Sequence, residues 1–167
     1  MLVLTATAIP ATLASVDRSR GFAAARFLSG QMTLARTMAV ARGTTLALVF
    51  DRRARGIVFR LYRDGNRNGV LARDIARGID TPLDERVRLY EQFPGVAVGV
   101  TPRSPTNDPI RLGGSDILSF TPLGTASSGT IYISGRDGTQ WAVRILGATA
   151  RTRVLRYVPE RDTWVEP

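Results

Sequence analysis

The first quarter of the chain carries its apolar residues at the spacing of an α-helix. No proline occurs from about Ala11 to Arg42, and the strong helix formers Ala, Leu, Met, Arg and Gln dominate this segment. At about 100° per residue, one stripe about 80° wide collects Leu13, Val16, Ala23, Phe27, Leu34, Met38 and Ala41. Gly43 follows a basic residue, which is typical of a helix end. The pattern predicts one long helix that buries Phe27, Leu34 and Met38 against the rest of the chain.

After Gly43 the pattern changes to short runs rich in β-branched and aromatic residues. Two of them, Thr44–Phe50 and Ile57–Tyr62, flank a polar segment that ends in Gly56, which predicts a β-hairpin. Further predicted strands, several of them separated by Gly and Pro clusters, are Arg86–Tyr90, Val96–Val100, Ile117–Phe120, Thr130–Ser134, Gln140–Leu146 and Thr152–Val158. The expected fold class is α+β: a long helix over residues 1–43, packed on an antiparallel β-sheet or sandwich head over residues 44–167.

The composition excludes several classes of enzyme. The 167 residues include no Cys and no His, and all 23 basic residues are Arg. The chain therefore lacks the residues for a Ser-His-Asp triad, a Cys-His dyad, a lysine Schiff base or the usual zinc sites. The net charge of +9 makes nucleic acid and anionic lipid candidate partners, although the all-Arg composition also fits a GC-rich coding sequence. A non-catalytic role is favoured.

One loop has the spacing of the opening of a calcium-binding turn. Asp64-Gly-Asn-Arg-Asn-Gly69 places oxygen-bearing side chains at alternate positions and Gly at the sixth. The candidate ligands are Asp64, Asn66, Asn68 and Asp74. Position 12, where such a loop carries Glu, is Ile75 here. The alternative is a Gly- and Asn-rich turn between strands without metal, and Ca²⁺ is the one cofactor that the sequence suggests.

Two basic segments are candidates for contact with the phosphates of DNA. Near the C-terminus lie Arg144, Arg151, Arg153 and Arg156, with Arg161 beyond. The candidate residues are Arg151, Arg153 and Arg156, of which strand alternation places the first two on one face. Residues 51–63, with five Arg and one Asp, are an equal candidate. For both segments the alternative is an ordinary solvated surface.

The remaining aromatic and acidic residues have simpler interpretations. Trp141 lies in an apolar strand and is expected in the core, whereas Trp164 lies in a polar tail that it is expected to pin to the head. Asp80 and the Asp84-Glu85 pair fall in a polar stretch, which predicts exposed surface charge rather than the paired carboxylates of a glycosidase.

A series of segments along the chain carries a family resemblance. In order they are Ala8–Pro10, Ala24–Leu28, Leu34–Gly43, Phe59–Val70, Ile117–Ala126, Gly129–Ile133, Trp141–Gly147 and Arg151–Val154. In this order and spacing they resemble the minor pseudopilins of the GspH/FimT family, in the type IV pilin superfamily. The resemblance covers nearly the whole chain.

The resemblance implies a structural subunit without a small-molecule substrate. Such proteins sit in the bacterial inner membrane through one N-terminal helix, with the head in the periplasm, until a prepilin peptidase trims and methylates them. They then assemble with other pilins or pseudopilins, helix packed on helix, into a type II secretion pseudopilus or the tip of a type IV pilus. Some relatives of the FimT branch bind DNA for uptake through a basic C-terminal region. DNA binding through Arg151, Arg153 and Arg156 is therefore the alternative function.

The start of the chain departs from the family pattern. Family members begin with a basic leader, then Gly and a Phe-Thr-Leu-x-Glu motif, and none of this precedes the apolar residues 1–16. A membrane-spanning helix needs about 20 apolar residues, so residues 1–16 cannot span a bilayer by themselves. We expect that the start codon has been placed too late, and the alternative is a divergent, unprocessed form.

Overall fold

A single long helix begins the part of the chain that the structure describes. The computed structural model describes the backbone of residues 5–167 and the side chains from residue 15 onward. Helix α1 spans Thr5–Arg42, so it ends where the sequence predicts and begins before Ala11. Gly43 follows with φ of 61°, a left-handed conformation that glycine adopts without strain, and its N–H donates to the Val40 carbonyl at 3.3 Å. The predicted membrane-associated start at residues 1–16 and the stripe residue Leu13 lie largely outside the described residues.

Short strands make up most of the head. The described residues after α1 form ten strands and two short helices: β1 Leu46–Arg53, β2 Gly56–Arg63, α2 Ala72–Ala76, β3 Thr81–Pro82, α3 Leu89–Gln92, β4 Ala97–Val98, β5 Ile110–Arg111, β6 Ile117–Phe120, β7 Gly129–Ser134, β8 Gln140–Leu146, β9 Arg151–Val158 and β10 Thr163–Val165. A 3-10 turn at Pro159–Arg161 joins the last two strands. The expected α+β class, a long helix packed on an antiparallel head, is confirmed.

The strands form two antiparallel sheets. Sheet A has the order β3-β2-β1-β6, and sheet B has the order β10-β9-β8-β7-β4, with β5 also paired to β7. The predicted hairpin is present, because Arg53 pairs with Gly56 across a two-residue turn. The alternating side chains of both sheets point to a shared core, in which Phe50, Phe120 and Ile131 are almost completely buried.

One predicted strand is wrong. Over Arg86–Tyr90 the only strand contact among the described residues is an isolated bridge, in which the N–H and C=O groups of Val87 pair with those of Phe59 at 2.8 and 3.1 Å. The chain then turns into α3, which buries Leu89. Val87, in the bridge, also packs against the core, so the segment contributes apolar side chains to it without forming a strand.

Helix α1 packs on both sheets through small residues. Gly21, Ala24, Ala25, Ala35 and Ala39 are buried on this face together with the larger Leu28 and Met32. Phe27 and Met38 lie at its border, half-buried against the core, while Leu34 is 50% exposed. The expectation that Leu34 lies in the core is therefore wrong. Small side chains let the helix backbone approach the sheets closely, so the buried face is rotated away from the stripe of larger side chains.

Two polar contacts fix the rotation of α1 about its axis. The hydroxyl groups of Ser29 and Thr152 hydrogen-bond at 2.7 Å and join the helix to β9. Seven residues further on, and so on nearly the same side of the helix, Arg36 Nε donates to the carbonyl of Gly124 at 3.0 Å, in the loop after β6. Because each contact requires one orientation of the helix, the pair determines which face remains outside.

Candidate functional site

The outward face of α1 keeps an apolar strip that the head does not cover. Val16 is 44% exposed and Leu34 is 50% exposed, and Ala23 and Ala41 are also exposed. The spacings 16–23 and 34–41 are both seven residues, which place side chains on nearly the same side of a helix. Phe27, half-buried, lies seven residues before Leu34 at the edge of this strip. The outward strip, defined by Val16, Ala23, Leu34 and Ala41, is thus free to contact another helix.

The described part of α1 does not meet the requirements of a membrane span. Over the described residues, no helix combines the length and the apolar character that crossing a bilayer needs.

The Asp64–Gly69 loop is held by hydrogen bonds to its own carboxylates. Asp64 is almost completely buried, and its Oδ1 accepts the N–H groups of Asn66 and Arg67 at 3.0 and 2.7 Å. Its Oδ2 accepts the N–H of Gly69 at 2.8 Å. Asp64 therefore acts as the acceptor that shapes the turn.

Two more buried aspartates close the same loop. Asp80 is 1% exposed, and its two oxygens accept the N–H groups of Gly65 and Leu71 at 3.0 and 2.9 Å. The prediction that Asp80 is surface charge is therefore wrong, because the folded loop encloses the carboxylate and gives it two donors. Asp74 Oδ2 accepts the side-chain amides of Asn68 at 2.9 Å and Asn66 at 3.4 Å.

These contacts determine the electrostatics of the loop. The hydrogen bond from the Asn68 amide is the main reason why the pKa of Asp74 lies below its usual value. Burial acts in the opposite direction and raises this pKa, and the hydrogen bond from Asn66 lowers it further. The described residues include no group of three or more carboxylates arranged to hold a metal ion. The predicted ligands Asp64, Asn66, Asn68 and Asp74 do come together, but as partners of one another and of the backbone. Calcium binding stays a prediction, which these hydrogen bonds oppose.

The C-terminal arginines divide between two faces of sheet B. Arg153 lies directly opposite Arg144, and Arg151 lies opposite Leu146, so the strand alternation predicted for Arg151 and Arg153 is confirmed. Arg156 pairs with Trp141 on the other face, where its Nε is buried and has no hydrogen-bond partner among the described residues. The outward arginine cluster is therefore Arg144, Arg151 and Arg153. The β8–β9 register, which spacing alone does not reveal, brings in Arg144.

In the other basic segment, residues 51–63, some of the arginines form ion pairs with carboxylates. Arg52 donates to Asp116 at 2.6 and 3.0 Å and to Asp108 at 2.8 Å. The hydrogen bonds to Asp116 and then Asp108 raise the pKa of Arg52, and the bond from Arg52 lowers the pKa of Asp108. Arg53 pairs with Asp51. Residues 51–63 thus offer less free positive charge to a nucleic acid than their composition suggests.

Aromatic contacts pin the C-terminal residues to the head. The Trp164 ring lies 5.6 Å from that of Tyr132 and 5.1 Å from that of Tyr157, which confirms the role predicted for Trp164. The Tyr157 hydroxyl donates to Asp162 Oδ1 at 2.6 Å, and this hydrogen bond is the main cause that raises the pKa of Tyr157.

The architecture of one long helix on two small antiparallel sheets has a match among known families. The sequence profile described as "Type II transport protein GspH" matches residues 24–149. The chain belongs to the GspH family. This is the family that the resemblance implied. No curated protein sequence matches the chain.

A solved structure shows the same fold. The minor pseudopilin EpsH from the type 2 secretion system of Vibrio cholerae superposes with a TM-score of 0.53 over 82% of this chain and 97% of its own. The sequence identity is 14%, so the likeness concerns the fold. The residues that match the GspH profile include the Asp64–Gly69 loop and Arg144, whereas β9 and β10 lie beyond them.

Proposed function

We propose that this GspH-family chain is a non-catalytic minor pseudopilin of a type II secretion system, which joins a filament by packing the outward strip of α1 on the helices of neighbouring subunits. The head would face the periplasm, with the N-terminal end of the helix at the inner membrane. The family match supports the role, and the carrying observation is the exposed apolar strip. Exposed apolar surface of this kind typically marks an interaction site.

The two faces of α1 divide the tasks of folding and assembly. The head uses the small residues around Leu28 and Met32, so the chain does not need Leu34 or Val16 in order to fold. Side chains that recur every seven residues can interlock with those of a second helix. Burial of an apolar side chain of this size stabilises a contact by about 1.5–3 kcal/mol.

Cysteine cross-linking tests this proposal directly, because the chain contains no native Cys. Val16→Cys and Leu34→Cys place a thiol on the outward strip. Ser15→Cys and Arg42→Cys are controls, since both positions are exposed and each points about 100° away from the adjacent strip residue, Val16 or Ala41. The assay uses cells that assemble the machine with partner pseudopilins carrying single helix cysteines. We expect disulfide-linked pairs with the strip variants only.

A second set of variants separates assembly from folding. Val16→Glu and Leu34→Glu should abolish secretion while the thermal unfolding temperature stays close to that of the wild type, because neither side chain is in the core. Ser15→Glu should retain secretion. Equal cross-linking at all four positions, or normal secretion by the two strip variants, would refute packing through this strip.

DNA uptake, the alternative from the sequence, stays a prediction. Of its three candidate residues, Arg151 and Arg153 share the outward cluster with Arg144, while Arg156 faces the core. A duplex binder of this kind would lose affinity steeply with added salt.

A further inference from the structure

One edge of strand β9 is only partly covered. β10 pairs with this edge over residues 156–158. Within the part of the chain that the structure describes, no strand pairs with the same edge over residues 151–155. An uncovered edge presents unpaired backbone N–H and C=O groups, which can pair with another extended chain. At about 3.3 Å per residue, the length without a paired strand is about 17 Å, which is enough for a short strand, and the C-terminal Glu166 and Pro167 lie beside it.

Positive charge is concentrated beside this edge. Arg144 and Arg153 lie directly opposite each other, an arrangement that destabilises a sheet unless a negative charge compensates it. Among the described residues, the carboxylate that reaches the cluster is Glu166, whose Oε1 lies 3.5 Å from Arg153 Nε. Arg144 and Arg151 form no ion pair within the same part of the chain. The cluster therefore has room for further carboxylates, and Glu166 shows how one is bound.

Two grooves flank the uncovered edge. Between α1 and β9 lies a groove of about 460 Å³, lined on the helix side by Phe22, Arg26, Ser29 and Thr33. On the outer face of sheet B lies a second groove of about 650 Å³, where Leu146, Leu155 and Trp164 adjoin the arginine cluster. Successive side chains of a strand point to opposite faces, so a strand added to this edge would place alternate side chains in the two grooves.

We propose that residues 151–155 of β9 form a docking edge for an extended acidic segment of a partner protein, which adds to sheet B as a further strand. The backbone of the segment pairs with the open edge, and its carboxylates, spaced two residues apart, meet Arg151 and Arg153 on the outer face. Main-chain hydrogen bonds supply affinity in this mode of recognition, and the side-chain grooves supply specificity.

Two alternative partners, a second copy of this chain and duplex DNA, fit this edge less well than an acidic strand. A second copy of this chain, paired edge to edge, would bring its own Arg151 and Arg153 against the same cluster, and like charges in that position repel. Duplex DNA would use the guanidinium groups through its phosphates but would leave the row of backbone N–H and C=O groups unpaired. The acidic strand uses both features.

Binding of synthetic peptides to the full chain tests the docking edge. The first probe is a fluorescent peptide of alternating Glu and Val, and the second has the same charges with Pro in place of Val, which removes backbone N–H groups and prevents strand pairing. A third probe has Lys in place of Glu. We expect saturable binding of the Glu-Val peptide, binding of the Pro peptide that is about tenfold weaker, and no binding of the Lys peptide. Hydrogen exchange should slow when the Glu-Val peptide binds, at those amides of residues 151–155 that point away from β8 toward the open edge.

Paired arginine variants locate the site. Arg151→Ala with Arg153→Ala should weaken binding of the Glu-Val peptide about tenfold or more. Arg55→Ala with Arg103→Ala changes the net charge equally at exposed positions away from this edge and should leave binding unchanged. Glu166→Gln should strengthen binding a few-fold, because it removes the carboxylate that already occupies Arg153.

Four outcomes would overturn the proposal. Equal binding of the Pro peptide would show attraction by charge alone, and equal losses in both arginine pairs would show that the site is elsewhere. If duplex DNA displaces the labelled peptide at a lower concentration than unlabelled Glu-Val peptide does, the arginines would be assigned to nucleic acid. Concentration-dependent self-association that slows hydrogen exchange at the edge amides of residues 151–155 would assign the edge to a second copy. None of these results depends on filament packing through α1, which cross-linking tests separately.

Discussion

Gly21 of α1 lies directly against the indole ring of Trp141. A Cβ atom at position 21 would lie 2.5 Å from Trp141 Nε1 and 3.0 Å from its Cδ1, closer than the core can accept without moving the ring. Phe22 packs on the same indole with ring centres 5.3 Å apart. This contact sets how closely the helix approaches sheet B, and it accounts for a glycine in the middle of a long helix.

Gly21→Ala should therefore destabilise the protein although it raises helix propensity. We expect a loss of about 1–3 kcal/mol in the free energy of unfolding, because the added methyl group forces the Trp141 ring to shift. Gly30→Ala is the matched control on the same helix, since nothing lies within 4 Å of its added Cβ. It should stabilise by about 0.5–1 kcal/mol. Urea unfolding of both variants checks the signs, and a shift in the same direction for both would contradict this account.

Asp80 should matter more to stability than other carboxylates of its polar stretch. Asp80→Ala leaves the N–H groups of Gly65 and Leu71 without their acceptor and should cost about 2–4 kcal/mol. Glu85→Ala, at an exposed position, should change the free energy of unfolding by less than about 0.5 kcal/mol. Chemical denaturation measures both values, and similar losses would mean that the loop is not held by Asp80.

The Asp74 carboxylate makes the loop sensitive to acid. Since its folded pKa is below the usual 3.8, the charged form stabilises the fold fully above that pH, and this contribution is lost as the pH falls through the folded value. Asn68→Ala, which removes the main donor, should reduce this dependence. Urea unfolding at a series of pH values from neutral to acid measures how the free energy of unfolding depends on pH. If this dependence is the same in Asn68→Ala as in the wild type, the role assigned to the Asn68–Asp74 hydrogen bond is contradicted.

The Tyr157 hydroxyl should give the opposite dependence at alkaline pH. Its folded pKa is raised above the usual 10.0, so the protonated form stabilises the fold fully below that pH, and this contribution is lost as the pH rises through the folded value. Tyr157→Phe keeps the ring against Trp164 but cannot ionise, and it should flatten the alkaline loss of stability. Thermal unfolding over the alkaline range compares the variant with the wild type, and parallel curves would count against the Tyr157–Asp162 hydrogen bond.

Millimolar CaCl₂ should not change the unfolding temperature relative to EGTA. Calcium needs six or more oxygen ligands, whereas both Asp64 oxygens already accept backbone N–H groups. A calcium-dependent rise that Asp64→Asn abolishes would establish the metal site and contradict this expectation.

Much of the fold could be predicted from residue patterns, whereas the packing between elements could not. Gly43 and the turn before Gly56 mark changes of backbone direction locally, so the end of α1 and the β1–β2 hairpin follow from the sequence. The buried face of α1 does not follow from the sequence, because an argument from apolar periodicity gives most weight to the larger side chains. Between two sheets, close approach favours Gly21 and the alanines, and Leu34 is left outside.

The candidate sites depend on relationships that one segment does not contain. Asp80 is buried because its carboxylate accepts the N–H groups of Gly65 and Leu71, which are distant from it in sequence and meet it only in the folded loop. Arg144 joins Arg153 through the register of β8 and β9, which local spacing does not specify. The spacing of Arg151 and Arg153 did predict their shared face, because the alternation of a strand is a local property.

The seating of α1 on both sheets has a mechanical consequence. The helix touches β1 and β6 of sheet A as well as β7, β8 and β9 of sheet B, so a pull along its axis loads the two sheets together. Such a load acts in shear over the whole contact between the sheets and the buried Gly and Ala residues of α1, and it does not peel the helix from one end. We expect the head to follow its helix as a stiff body when the helix is pushed or drawn along its length.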